Sequence, residues 1–119
     1  TSNFILSSMA GAGSSFKTAL REAQEKGYAE KDPSLDIKGF DSSHKLAILS
    51  LLAFGKRVAL DDIYVEGIEH ISNFDIQYAK ELGYVIKLLA IAKRYGDELE
   101  VRVHPTFLPS EYLLSSDSL

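Results

Sequence analysis

Residues 84 to 103 read YVIKLLAIAKRYGDELEVRV, and the reading of this stretch decides the architecture. Tyr84 to Tyr95 begins with apolar residues on both alternating faces. After Gly96 and Asp97, Leu99, Val101 and Val103 alternate with Glu98, Glu100 and Arg102. Two such runs around a Gly-Asp pair predict a β-hairpin. Pro105 and Pro109 are expected to end it, because proline has no N–H to give to a ladder. A hairpin by itself is marginal in water, so this one needs helices or further strands against its apolar face.

The residues upstream supply them. Phe16, Ala19, Leu20 and Ala23 fall at helical spacing between a Ser14 or Ser15 cap and a Gly27 stop. From Asp41 to Phe54, the residues Leu46, Ile48, Leu49, Leu51, Leu52 and Phe54 cover so much of a helix that burial on more than one side is expected. Asp62 to Gly67 predicts a short strand. Ser72 predicts the cap of a third helix through Leu82, with Ile71 as its staple and Gly83 as its stop. Tyr112 to Leu119 is a serine-rich tail expected to complete no element. The expected class is α/β (α+β), with helices packed on one face of a mixed β-sheet in a single unit over 1–119. The open sheet edges need further chain or a partner to cover them.

Bulk composition narrows the function. Seventeen acidic against thirteen basic residues give a net charge of -4, and the cations gather only in the pairs Lys56-Arg57 and Lys93-Arg94. Binding to nucleic acid or an anionic membrane requires clustered cations, so both are excluded as expectations. The absence of cysteine removes disulfides and thiolate metal sites and fits a reducing, cytoplasmic setting. His44, His70 and His104 have no partners at ligand spacing, so no metal is expected. The apolar runs at Leu46 to Phe54 and Val85 to Ala92 are too short to span a bilayer. No basic-then-apolar leader opens the chain at Thr1, and a piece of a longer polypeptide is expected.

Phe4 to Phe16, FILSSMAGAGSSF, imitates a dinucleotide-binding turn, with Gly11 and Gly13 ahead of a helix and Asp32 downstream. The third glycine position holds Phe16, whose bulk prevents close helix-to-strand packing, and Ser7 and Ser8 interrupt the strand. A flexible glycine-serine connection is the simpler expectation.

Residues 27 to 45, GYAEKDPSLDIKGFDSSHK, carry the chemistry. Pro33 and Gly39 are expected to keep the stretch out of regular structure. Asp41 and Lys45 lie four apart at a helix start and can pair. Each residue has a plain structural use, Asp41 as a cap and Asp32-Pro33 as a turn. An exposed Asp-Lys pair contributes only about 0.3–0.5 kcal/mol. Glu30, Asp36 and Asp41, however, flank a loop that turns back on an apolar helix, which is expected to hold charge near a low-dielectric surface. Such arrangements mark functional sites.

The run G-Y-A-E-x-D-P-x-x-D-x-x-G-x-D-x-x-x-K, from Gly27 to Lys45, resembles the signature of homoserine dehydrogenases. The likeness extends to Thr1-Ser2-Asn3-Phe4-Ile5-Leu6, His44 to Leu49, Tyr64 to Ile68 and Ile86 to Ala90, so it covers nearly the whole chain. It implies an oxidoreductase interconverting L-aspartate 4-semialdehyde and L-homoserine in threonine and methionine biosynthesis, working as a homodimer joined through the sheet. This chain would be part of the substrate-binding, catalytic and dimerisation domain. The cofactor, NADP or NAD, would be bound mainly by an N-terminal nucleotide-binding domain absent here, and the fragment alone would be inactive. The resemblance makes Lys45 the proton-transferring lysine with Asp41 beside it. Glu30 binds substrate, Asp36 lines the same pocket, and Thr1 and Tyr28 meet the amino-acid part of the substrate. The alternative is a non-catalytic dimerisation or small amino-acid-binding module of the same fold.

Those roles agree with elementary chemistry. Reduction of an aldehyde leaves an alkoxide, which an ammonium ion protonates downhill. Neighbouring carboxylates favour the charged lysine and hence the reductive direction, so oxidation is expected to need a higher pH. Glu30 would hold the substrate ammonium group without reacting, and its loss is expected to raise KM more than it lowers kcat.

Overall fold

The computed structural model describes residues 1–115; the end of the serine-rich tail, 116–119, lies outside the described residues. In chain order the elements are helices α1 (Ser2–Ala12), α2 (Phe16–Glu25), α3 (Ser34–Ile37) and α4 (Phe40–Phe54), strand β1 (Tyr64–Val65), helix α5 (Asn73–Glu81) and strands β2 (Tyr84–Tyr95) and β3 (Glu98–Pro109). Short 3-10 turns lie at Leu60–Asp62 and Leu113–Ser115. The strands form one mixed sheet in the order β1-β3-β2, with β1 parallel to β3 and β2 antiparallel to it. Helices α1, α4 and α5 pack against β2. This is the expected α/β class.

The hairpin forms as its alternation predicts, with Tyr95 opposite Glu98 across the Gly96-Asp97 turn. It does not stop at Pro105, because β3 runs on to Pro109. Pro105 faces Leu88, whose N–H and C=O both point away from β3, to the side chain of Asn3. Antiparallel strands alternate between pairs that exchange ladder bonds and pairs that do not. Leu88 and Pro105 are therefore a pair of the second kind, and the missing proline N–H costs no ladder bond. On the other side of β3, β1 reaches only Val103.

The glycine-serine stretch is also corrected. It is not a loose connection but helix α1, whose Ser2, Ile5, Leu6 and Met9 are buried against α2, α5 and β2. Those four residues sit at helical spacing, a signal diluted by the intervening serines and glycines. Gly13 closes the helix in the left-handed conformation. The core gathers around Ile5, Leu6, Met9, Ile68 and Val103.

Helix α4 ends at Gly55 as expected, but apart from Leu46 its leucines are not buried. Ile48, Leu49, Leu51 and Leu52 are 43–76% exposed, and the inward residues are Ser43, Leu46 and Ser50. Small side chains there let the helix approach the sheet closely, and among the described residues nothing covers its outer face. The predicted strand at Asp62 to Gly67 shrinks to Tyr64–Val65, since its start is taken by the 3-10 turn. Helix α5 carries the predicted Ser72 cap, completed as a capping box by Asp75. Gly67 is required by a close approach: a Cβ there would lie 2.1 Å from the Ile37 carbonyl oxygen. The Ile68 N–H donates to that same oxygen at 2.7 Å, which fastens α3 to the end of β1. None of the described helices is long and apolar enough to cross a membrane.

Candidate active site

The signature stretch starts where α2 ends. Ser15 caps α2, accepting from the Thr18 N–H, and Gly27 takes a positive φ of 78° to release the chain. Asp32 then accepts from the Ser34 hydroxyl at 2.6 Å and the Ser34 N–H at 3.3 Å. These bonds hold its carboxyl below the usual range, because they favour the charged form. They also start α3, so the stretch expected to be irregular contains one helical turn at Ser34–Ile37. Gly39, with φ 84° and a Cβ position 3.0 Å from Val65 Cγ1, leads directly into α4.

Asp41 and Lys45 meet as predicted, with Lys45 Nζ 3.0 Å from Asp41 Oδ2. The side chains are 43% and 71% exposed, respectively, so the pair contributes only about 0.3–0.5 kcal/mol to stability. Glu30 is exposed and Asp36 half-buried. The expected placement of these charges near a low-dielectric surface is thus not realised within this chain. The reason is the open outer face of α4, which leaves no wall over the pair. Among the described residues no ion pair links Glu30 or Asp36 to Lys45.

The first turn of α1 organises this stretch. The Thr1 hydroxyl donates to the Tyr28 carbonyl, and Phe4 packs edge-on against the Tyr28 ring at 5.0 Å. The Ser2 hydroxyl donates to the Asp36 carbonyl at 2.7 Å. Asn3 accepts from the Leu88 N–H at 2.7 Å and donates to the Leu88 carbonyl at 3.2 Å, occupying the edge of β2 as a neighbouring strand would. From α2, the Gln24 amide donates to the carbonyls of Glu30 and Lys31 at 3.0 and 3.3 Å. Thr1 and Tyr28 are therefore brought together, as are Asp41 and Lys45. Ser2, Asn3 and Gln24 were not singled out by sequence reasoning. Their partners lie 34, 85 and 6 residues away, and no local spacing announces the longer of those contacts.

Among the described residues, two cavities flank this arrangement. One of about 400 Å³ opens beside the start of α4, lined in part by Phe40, Ser43, His44 and Asp61. The other, of about 310 Å³, lies between α1, α5 and the start of β2, with Ser7, Lys80, Tyr84 and Lys87 in its walls. Lys87 is buried and donates to the Ser7 hydroxyl at 3.1 Å, among its contacts. The glycine-bearing stretch is the end of helix α1 with no strand before it, so the strand-turn-helix that receives a pyrophosphate is not formed there.

Comparison with known proteins bears on the family and the fold. A family model described as homoserine dehydrogenase matches residues 1–118. The homoserine dehydrogenase of Helicobacter pylori is 53% identical over 97% of the chain, and that of Neisseria gonorrhoeae 51% over 98%. In both cases the chain spans only about 27% of the relative's length. Among solved structures, a homoserine dehydrogenase from Thiobacillus denitrificans superimposes with a TM-score of 0.90 at 51% identity, over 96% of this chain and 26% of that one. The Staphylococcus aureus enzyme superimposes with a TM-score of 0.94 at 36% identity, over 97% and 29%. A hyperthermophilic archaeal homoserine dehydrogenase in complex with NADPH reaches 0.73 at 27% identity, over 96% and 31%.

Proposed function

Because the chain belongs to the homoserine dehydrogenase family, we propose that it is the substrate-binding and proton-transferring part of a longer oxidoreductase interconverting L-aspartate 4-semialdehyde and L-homoserine. In this reading a nicotinamide dinucleotide, NADP or NAD, is held by protein outside the segment and supplies the hydride. The residues of this chain handle the amino acid and the proton. Lys45 donates a proton to the oxygen of the reduced aldehyde, and Asp41 pairs with its ammonium form. Glu30 and Asp36 receive the substrate ammonium group, while Thr1 and Tyr28 shape the end of the pocket that meets the amino-acid portion. The observation that carries the proposal is the Asp41–Lys45 ion pair at 3.0 Å, at the helix start that completes the family signature.

Substrate enclosure follows from the same geometry. Lys45 is exposed to solvent, so in this reading turnover requires a cover, not provided by the described residues of this segment, that keeps water from the reacting aldehyde. The segment alone is accordingly proposed to be inactive, and the full protein to be a cytoplasmic homodimer joined through the sheet. The non-catalytic alternative, a module that dimerises or binds a small amino acid, makes no use of Lys45.

The test is reduction of aspartate semialdehyde by the full-length protein, with Lys45→Ala alongside, followed by cofactor absorbance. General acid catalysis predicts a fall in kcat of roughly a hundredfold or more with cofactor affinity unchanged. Near-normal turnover in the variant would remove Lys45 from the mechanism. A wild-type protein that binds homoserine but turns over nothing would establish the alternative.

A further inference from the structure

We propose that Gln24 and Ser2 are positioning residues for the substrate ammonium group, each holding the main chain of one of the two acids that receive it. This inference rests on the substrate-binding roles proposed above for Glu30 and Asp36. Gln24 on α2 donates its amide to the Glu30 carbonyl at 3.0 Å and to the Lys31 carbonyl at 3.3 Å. Ser2 on α1 donates its hydroxyl to the Asp36 carbonyl at 2.7 Å.

All three bonds go to backbone oxygens, so none consumes a carboxylate. A carbonyl held in place sets the orientation of its peptide plane, and with it the direction in which the Cα–Cβ bond leaves the chain. The carboxylate then has only its own side-chain torsions left to fix when the amine arrives, which lowers the ordering cost of binding. The helices that donate these bonds are themselves anchored. Ser2 is buried, and the neighbouring Asn3 ties the same helical turn to β2 through Leu88. Ala19 and Ala23 of α2 are fully buried, which fixes the helix that carries Gln24. The two acids are thus referenced to the sheet through rigid elements, although Glu30 stands on an exposed loop and Asp36 on the single helical turn of α3. Groups so referenced suit an ammonium ion, which needs acceptors at fixed separations.

The experiment uses the full-length enzyme and a double-mutant cycle between Gln24 and Glu30. Gln24→Met keeps the length of the side chain and removes the donor; Gln24 is only half-buried, so folding is retained, which the melting temperature checks. Of the two neutral hydrogen bonds lost, the one to the Glu30 carbonyl corresponds to roughly a 3- to 10-fold rise in KM for homoserine, with kcat within about twofold and the cofactor KM unchanged. The same variant should leave the oxidation of a substrate analogue lacking the amino group unaffected. In the background of Glu30→Gln, adding Gln24→Met should raise KM by much less than it does alone, because the two act as one unit. Ser2→Ala provides the parallel measurement through Asp36.

An equal effect of Gln24→Met on substrate and on the deaminated analogue would overturn the proposal, as would full additivity with Glu30→Gln. A Glu30→Gln variant with unchanged KM would instead remove the substrate-binding role itself, and with it the function from which this inference starts.

Discussion

Helices α1 and α4 look alike in their content of apolar residues and are treated oppositely by the fold. Helix α1 is interrupted by serine and glycine, yet Ile5, Leu6 and Met9 are at most 2% exposed. Helix α4 is dense with leucine and isoleucine, yet Leu52 is 76% exposed and its inner face is built on Ser43, Leu46 and Ser50. The contrast teaches that the number of apolar residues in a helix does not say which of its faces meets the sheet. The polar residues of α1 are also put to use, since Thr1, Ser2 and Asn3 fasten the signature stretch and the edge of β2. The exposed face of α4 lies on the same helix as Lys45, the residue that the proposed reaction most needs covered.

The contrast can be broken or sharpened by substitution in the full-length protein. Ile5→Ala, which opens a cavity beneath α1, should cost about 2–5 kcal/mol by denaturant unfolding. Leu52→Ser is expected to cost about 1.5–3 kcal/mol, the value of a buried leucine, if the outer face of α4 is covered in the assembled protein as proposed. A loss below about 0.5 kcal/mol, typical of a surface position, would leave that face open to water there as well.

Ser50→Ala should act in the opposite direction. The Ser50 hydroxyl is buried without a hydrogen-bond partner among the described residues, so its removal is expected to stabilise the protein by about 1 kcal/mol, read as a rise in melting temperature. The smallest effect concerns Asp32 and the start of α3. Its folded value lies below the ordinary 3.8, so its contribution is present above that value and is lost as the pH falls through the folded one. NMR titration of the carboxyl should show the depression, and Ser34→Ala should return it towards the ordinary value. A titration unchanged by Ser34→Ala would remove the Ser34 bonds as its cause.

Much of this was legible in the chain. The Gly96-Asp97 turn, the Ser15 and Ser72 caps and the glycines that end α2, α4 and α5 each depend on a few neighbouring residues, and each formed where its pattern predicts. Asp41 and Lys45 were legible as a pair because four residues on a helix bring side chains together without help from the rest of the fold. Helix α1 was less so: its stripe of Ser2, Ile5, Leu6 and Met9 is narrow, and it stabilises a helix only when another surface buries it.

The sequence by itself determined most of the local elements, which follow from spacing, caps and residue type within a short window, and the family, through likenesses spread along nearly the whole chain. Only the tertiary structure decided that α1 is core, that α4 turns all its leucines but Leu46 outward, and that β3 continues past Pro105. It also decided that Ser2 and Asn3 reach partners 34 and 85 residues away. Burial and long-range hydrogen bonds depend on which surfaces meet, and that choice is a property of the whole packed chain rather than of any window within it.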